Sequence, residues 1–257
     1  MPAGPVEVTS QWSTAGEMRL HVRNAGPPAP GAPVVVLVHG LVASSRTFVP
    51  TLGHVGRWAR ALAPDLPGFG RSPAAGGSLA VGESAEVLHQ WMVEARVQGA
   101  TVVGHSLGAS VAAHLAARHP ESVSRIVLVS PAFDRRSRRP LRPVLRWVRN
   151  APHETLRAHA VLARDLVDCG VPRALRTFRH GLADRLEDQV VRLRAPTLVV
   201  RGDRDRVSPQ HWVEELVALV PGAELAVIPG AGHVLGYTEP AALDGLIVDF
   251  VGRRAGF

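Results

Sequence analysis

Residues 104–108 have the sequence GHSLG and lie between an apolar run, 100–103, and an alanine-rich run of helical character. A strand that leads directly into a helix can hold a serine on a sharp turn, where its hydroxyl stands clear of the backbone. Gly104 and Gly108 lie two residues on either side of Ser106, and they have no Cβ to obstruct such a turn. Ser106 is therefore the candidate nucleophile.

A serine hydroxyl needs partners, because it is a weak nucleophile until an imidazole takes its proton and a carboxylate orients that imidazole. Both residue types follow later in the chain. The run APTLVVRGDRDRV at 195–207 is typical of a buried strand that ends in a loop with two acidic residues, Asp203 and Asp205. The run AELAVIPGAGH at 223–233 is typical of another strand, and its glycine-rich exit loop leads to His233.

These segments resemble the α/β-hydrolase superfamily, and the resemblance covers nearly the whole chain. Two further motifs carry it. PVVVLVHG at 33–40 is similar to the third strand of that family with its HG turn, and DLPGFGRS at 65–72 is similar to the loop after the fourth strand. GHSLG is then the nucleophile elbow. Dehalogenases and epoxide hydrolases of this family have an aspartate where this chain has Ser106, so the resemblance disfavours those two chemistries.

The resemblance also assigns the acid and the base. In the family the acid usually lies three residues after the glycine that closes the seventh strand. Gly202 therefore favours Asp205, with Asp203 and Asp134 as reserve candidates. His233 occupies the position of the catalytic histidine.

Two backbone amides are expected to form an oxyanion hole. One belongs to Leu107, which follows the nucleophile, and the other, by resemblance, to Leu41, which follows the HG turn. His39 and His105 flank these positions, and we expect them to support the structure rather than to transfer protons.

Length and composition limit the remaining possibilities. A chain of 257 residues can bury one core of the size of a single α/β domain with a small insertion. The first residues lack the pattern of a signal peptide and no apolar run could span a bilayer, so we expect a cytoplasmic protein without stable membrane association. The single cysteine excludes an internal disulfide. No metal-ligand spacing, dinucleotide fingerprint or phosphate-binding glycine loop is present, so no metal or cofactor is expected.

Arginine carries all of the positive charge, because the chain has no lysine. The net charge is +7, and the excess lies in residues 134–194, which contain 15 arginines and seven acidic residues. A basic surface can attract nucleic acid, an anionic membrane or an acidic substrate. No nucleic-acid-binding motif is present, so no such partner is expected. A solvated helical surface is the simplest interpretation, and a homodimer is left open.

Apolar runs and helical patterns alternate along most of the chain. Residues 6–24 alternate around a turn at 14–16, which is typical of a hairpin at a sheet edge. Continuous apolar strands then predict a mostly parallel sheet covered by helices. The predicted strands are Val34–Val38, Ala59–Ala63, Thr101–Val103, Arg125–Val129, Thr197–Val200 and Glu224–Ile228, and the predicted helices are 44–56, 79–97, 107–118, 208–219 and 240–253.

The alternation stops between Ser130 and Val190, where the pattern is helical and rich in arginine. The resemblance identifies an insertion after the sixth strand as a cap over the active site. It predicts a core of residues 1–133 and 191–257 and a helical cap of residues 134–190. Five apolar residues of the cap recur at helical spacing and either pack on the core or line an acyl pocket: Leu141, Val144, Leu145, Trp147 and Val148.

The resemblance therefore implies an α/β-hydrolase fold and a serine hydrolase. Its substrate is expected to be a small-molecule carboxylic ester of small to medium acyl chain, cleaved through Ser106, His233, Asp205 and an acyl-enzyme. Thioesterases, lactonases and carbon–carbon bond hydrolases share this triad and remain alternatives. A basic cap would suit a thioester with an anionic group. A binding protein without turnover is disfavoured, because all three residues of the triad are present.

Overall fold

The computed structural model describes residues 5–27, 31–74 and 76–253, so the outermost limits of the predicted core, residues 1 and 257, lie outside the described residues. Eight strands of the described chain form one sheet, in the order β1-β2-β4-β3-β5-β6-β7-β8. The strands are β1 (Val8–Ala15), β2 (Met18–Ala25), β3 (Val34–Val38), β4 (Arg60–Pro64), β5 (Ala100–His105), β6 (Val123–Val129), β7 (Thr197–Gly202) and β8 (Glu224–Ile228).

The sheet is mostly parallel. Strand β2 runs antiparallel to both of its neighbours, β1 and β4, and the remaining pairs are parallel. The hairpin of β1 and β2 lies at one edge, as predicted, although its two turn residues, Gly16 and Glu17, extend one residue beyond the predicted turn. The predicted fold class is confirmed.

Side chains of each central strand alternate between two cores. In β3, Val36 and Val38 belong to the cluster on one face of the sheet, whereas Val35 and Leu37 belong to the cluster on the other. This alternation follows from the two-residue period of a strand, and a sheet with apolar side chains on both faces must be covered on both.

Helices cover both faces. Residues of α2, α3 and α8 join one cluster, and residues of α1 and α10 join the other. The helices are α1 (Val49–Val55), α2 (Val81–Glu94), α3 (Leu107–Arg118), α4 (Leu141–Asn150), α5 (Leu156–Cys169), α6 (Val171–Ala183), α7 (Leu186–Val190), α8 (Gln210–Leu219), α9 (Leu235–Thr238) and α10 (Pro240–Arg253). Among the described residues, no helix combines the length and the apolar character that a membrane crossing requires.

Helices α4 to α7 lie between β6 and β7, where the sequence predicts the cap. The short α7 packs on the sheet-covering layer, since Leu186 and Val190 are buried in the cluster that contains α3. Helix α4 differs, because Leu141 is 77% exposed and Val148 is 64% exposed. The apolar face that the sequence predicts for α4 therefore lies outside the core.

Candidate active site

Ser106 forms the turn between β5 and α3. Its φ is 56° and its ψ is −118°, a conformation that residues with a Cβ rarely adopt. Its backbone N–H donates to the carbonyl of Val129, at 2.9 Å. The glycines of the motif are needed for close packing: a Cβ on Gly104 would lie 2.3 Å from the carbonyl oxygen of Gly108, and one on Gly108 would lie 2.3 Å from that of Val38. The turn therefore places the serine at the carboxyl end of the central strand.

The structure brings Ser106 together with His233 and Asp205. The serine Oγ lies 3.1 Å from His233 Nε2, and His233 Nδ1 lies 2.9 Å from Asp205 Oδ2. All three side chains are buried. Asp205 follows β7 and His233 follows β8. Since β5, β7 and β8 are parallel, their carboxyl ends meet at the same edge of the sheet.

Asp205 is oriented by its second oxygen, Oδ1, which accepts hydrogen bonds from the amides of Val207, at 2.8 Å, and Ser208, at 2.9 Å. Burial acts to raise the pKa of Asp205, but the charge and hydrogen bond of His233, together with further hydrogen bonds to the carboxylate, outweigh it and the pKa is lowered. Burial also acts to lower the pKa of His233, but the charge and hydrogen bond of Asp205, together with the charge of Glu154, outweigh it and the pKa is raised. The pair thus favours an ionised carboxylate beside a basic imidazole.

The two reserve acids lie elsewhere. Asp203 is exposed at the start of the loop. Asp134 is buried, and its carboxylate binds Arg146 and His211, each at 3.0 Å. Of the three candidates, Asp205 is the one that contacts His233.

Two neighbouring histidines bind backbone groups instead of the serine. His105 Nε2 donates to the carbonyl of His233, at 2.8 Å, and burial, followed by the charge of His233, lowers the pKa of His105 to about 3. His39 Nε2 accepts from the amide of Leu66, and its Nδ1 donates to the carbonyl of Gly40, both at 2.9 Å. Both side chains therefore hold loops of the site in place.

The two residues whose amides are expected to form an oxyanion hole, Leu41 and Leu107, lie close to Ser106. Leu107 is the first residue of α3, so its N–H has no partner within the helix. Leu41 follows Gly40, and a Cβ on Gly40 would lie only 2.8 Å from the Cβ of Ser106. The loop after β3 therefore passes directly beside the serine.

A small cavity adjoins Ser106 and an apolar groove lies beyond it. The cavity has a volume of about 20 Å³, which is enough for about one water molecule. The groove, of about 470 Å³, lies among α4, α5 and α6. Leu41, Trp147 and Phe178 line both spaces, so their side chains separate the serine from the groove.

Sequence reasoning missed two residues of this site, Asn150 and Glu154. Glu154 Oε1 accepts a hydrogen bond from the backbone amide of His233, at 2.5 Å, and one from the side-chain amide of Asn150, at 2.8 Å. Neither residue belongs to a local motif, and Glu154 is 79 positions from His233 in the chain. A carboxylate and an amide within a predicted helical segment gave no signal of this contact.

One group of possible metal ligands occurs among the described residues: His89, His119 and Glu121. The rings of His89 and His119 stack at 3.6 Å with an angle of 8° between their planes. A metal ion lies about 2.0 Å from the imidazole nitrogen that binds it and close to the plane of that ring. Since the two rings lie in nearly parallel planes, with their centres 3.6 Å apart, one ion cannot lie close to both planes. The cluster does not fit a metal site in this conformation.

The sequence matches the model of the alpha/beta hydrolase family over residues 35–244. The chain belongs to this family. The protein named "Putative carbamate hydrolase RutD" of Shigella flexneri is 28% identical over 248 residues, which cover 88% of this chain and 93% of that protein.

Two solved structures support the fold. A membrane phospholipase A described as a bacterial virulence factor has a TM-score of 0.83 at 22% identity. The match covers 97% of this chain and 87% of the phospholipase chain. Carboxylesterase CesB of Bacillus subtilis has a TM-score of 0.77 at 22% identity, with coverage of 97% and 93%. At this level of identity the similarity concerns the fold alone.

Proposed function

We propose that this protein hydrolyses carboxylic esters of small to medium acyl chain, with Ser106 as nucleophile, His233 as general acid and base, and Asp205 as the orienting acid. The observation that carries the proposal is the continuous hydrogen-bond chain from Ser106 Oγ through His233 to Asp205. Residues with a strained backbone are concentrated at functional sites, so the strained conformation of Ser106 also supports its proposed role.

The mechanism follows from these positions. Ser106 Oγ attacks the carbonyl carbon of the ester, and its proton passes to His233 Nε2. The oxyanion that forms is stabilised by the amides of Leu41 and Leu107. His233 then returns the proton to the leaving alcohol, and the acyl group stays on Ser106. Water repeats the sequence, so that the carboxylic acid leaves and the serine is restored.

The apolar groove supports an acyl substrate. Val144, Trp147 and Val148, three of the five cap residues with helical spacing, line it. The 20 Å³ cavity beside Ser106 cannot admit an acyl chain as it stands, so binding requires Trp147 or Phe178 to shift. The division of the chain into a core and a cap of residues 134–190 is part of this proposal.

Carbamates are the second substrate class, favoured by the 28% identity to RutD. A carbamate presents a carbonyl to the same serine and would use the same proton relay. Its small polar acyl part does not need the apolar groove. A panel of p-nitrophenyl esters of two to ten carbons, assayed beside a simple carbamate, therefore separates the two classes.

The decisive experiment replaces Ser106 by alanine. We expect Ser106→Ala to lose essentially all hydrolysis of p-nitrophenyl butyrate while it keeps the circular dichroism spectrum of the wild type. Ser110→Ala is the matched control, because Ser110 is also buried in the first turn of α3, whereas among the described residues the serine that hydrogen-bonds to His233 is Ser106. Wild-type turnover in a folded, pure Ser106→Ala variant would refute the proposed nucleophile.

A further inference from the structure

Glu154 connects the helical insertion to the loop that carries His233. It lies between α4 and α5, directly after a 3-10 turn at Ala151–His153, and its own amide donates to the carbonyl of Ala151, at 3.1 Å. Its Oε1 accepts from the backbone amides of His233, at 2.5 Å, and Val234, at 3.2 Å. A charged acceptor makes such bonds about twice as strong as neutral ones.

Asn150 extends this connection to the loop that carries Asp205. Its side-chain Nδ2 donates to Glu154 Oε1, at 2.8 Å, and its Oδ1 accepts from the backbone amide of Arg206, at 3.1 Å. Arg206 is the residue after Asp205. Asn150 is fully buried, so its two contacts are shielded from water. One pair of side chains thus binds the backbone beside both the acid and the base.

The chain makes room for Glu154. A Cβ on Gly232 would lie 2.5 Å from Glu154 Oε1 and 2.6 Å from the carbonyl oxygen of His153. Any other residue at position 232 would therefore push the carboxylate away from the amide of His233. The close approach of Glu154 and His153 thus explains why residue 232, directly before His233, is a glycine.

We propose that Glu154 is a positioning residue, which together with Asn150 fixes the loops of Asp205 and His233 relative to each other and couples them to the helices between β6 and β7. The proposal rests on the function proposed above. Misplacement of a catalytic group by about 1 Å can cost about 100-fold in rate, and a preorganised loop avoids that cost.

The charge of Glu154 also acts on His233. The titratable groups that face His233 are Asp205 on the loop after β7, His105 at the end of β5, and Glu154 from the insertion. Burial lowers the pKa of His233, and the charges of Asp205 and Glu154 raise it to a net value above the ordinary one. Removal of the charge of Glu154 should therefore lower the pKa of His233.

The experiment compares Glu154→Gln with Glu154→Ala. Glutamine can still accept from the two backbone amides but has no charge, whereas alanine can do neither. We expect the acid limb of the kcat/KM profile to move to lower pH in Glu154→Gln, because the neutral form of His233 then persists to lower pH, while kcat at the plateau stays within about 3-fold. In Glu154→Ala we expect kcat to fall about 10- to 100-fold with little change in KM.

Glu187→Gln is the matched control. Glu187 is a buried carboxylate of the same insertion, but it binds Arg138, at 2.5 Å, and no residue of the triad loops. This control should keep the acid limb of the wild type. An acid limb equally placed in wild type and Glu154→Gln would overturn the proposal, as would full kcat in Glu154→Ala.

A second measurement does not depend on activity. The imidazole of His233 can be titrated by NMR in wild type and Glu154→Gln, with His233→Gln used to assign its signals. We expect a lower pKa in the variant. An unchanged pKa contradicts the proposal even if no ester is cleaved, whereas an inactive wild type with the expected pKa change contradicts only the proposed function.

Discussion

Ser106 keeps its positive φ because its neighbours leave it no alternative. Its amide is bound to Val129 on β6, and α3 begins at the next residue. A residue with a Cβ in such a conformation costs about 1–3 kcal/mol, which the surrounding structure must offset. The strain thus lies in the backbone of the residue whose side chain the proposed reaction uses.

Replacement of Ser106 by glycine should reveal this strain. Both Ser106→Gly and Ser106→Ala remove the hydroxyl, but glycine adopts the conformation freely. We expect Ser106→Gly to be more stable than Ser106→Ala by about 1 kcal/mol, after the larger entropy of the unfolded glycine chain is subtracted. Urea unfolding measures the difference. A Ser106→Ala variant as stable as Ser106→Gly would mean that the turn is not strained.

Asp205 and Asp203 should differ sharply when each is changed to asparagine. Asp205→Asn removes the charge that orients and stabilises the imidazolium of His233, so we expect kcat to fall about 1,000- to 10,000-fold. Asp203→Asn changes an exposed side chain and is the matched control, expected to stay within about 2-fold. Stopped assays with p-nitrophenyl butyrate compare the two. The reverse order of effects would assign the acid to Asp203.

The three residues of the proposed relay were predicted from the sequence, because each lies in a short motif that follows a strand and the resemblance to the family indicates which residue of the motif to choose. Glu154 and Asn150 could not. Their partners are backbone amides, which leave no trace in residue types, and the approach depends on the packing of an insertion against two loops. Gly232 is the residue whose type reflects this contact, because a side chain there would displace Glu154. A glycine in a loop after a strand is equally typical of a simple turn, so it did not predict the contact.

At the level of elements, the apolar runs located the strands well. Val34–Val38 and Glu224–Ile228 have the predicted limits, and the buried β6 begins two residues earlier than predicted. The packing of α4 to α6 could not be predicted from the sequence, because apolar residues have the same helical spacing whether they face a core or a groove. Their exposure was therefore decided by tertiary packing alone.

Phe178 of α6 is expected to limit acyl-chain length. It lines both the cavity beside Ser106 and the apolar groove, whereas Leu175, one turn earlier, lines only the groove. Phe178→Ala should join the two spaces and raise the ratio of kcat/KM for p-nitrophenyl octanoate to that for the acetate by about 10-fold. Leu175→Ala is the control and should leave this ratio within about 3-fold. Equal ratios in both variants would mean that acyl chains do not follow the groove.

At the level of the whole molecule, the arginines of the insertion differ in their surroundings, because among the described residues some of them pair with a carboxylate and others do not. Arg135 and Arg136 bind Glu215 of α8, and Arg138 binds Glu187. In the described part of the chain, no carboxylate lies within 4 Å of the side-chain nitrogens of Arg149 or Arg206. Together with Arg146 and His153 these two line a pocket of about 460 Å³. An anionic part of a substrate in this pocket would meet the two positive charges of Arg149 and Arg206.

Salt should then weaken the hydrolysis of an anionic substrate and spare a neutral one of the same acyl length. Arg146 also lines the cavity beside Ser106, so the basic pocket adjoins the proposed reaction site. Butyryl coenzyme A and the neutral thioester S-butyryl-N-acetylcysteamine form a matched pair. For the coenzyme A ester we expect kcat/KM to fall about 10-fold as the Debye length shrinks from about 30 Å to about 3 Å.

The paired arginines provide the control for this prediction. Arg149→Gln with Arg206→Gln should remove most of the salt dependence, because both positive charges lie in the wall of the pocket, where an anion approaches them most closely. Arg135→Gln with Arg138→Gln removes the same formal charge, but neither arginine lines the pocket, so the attraction of an anion into the pocket should change less than in the first double variant. Equal salt responses for the two thioesters, or equal effects of the two double variants, would contradict the prediction. Arg149 and Arg206 would then belong to an ordinary solvated surface.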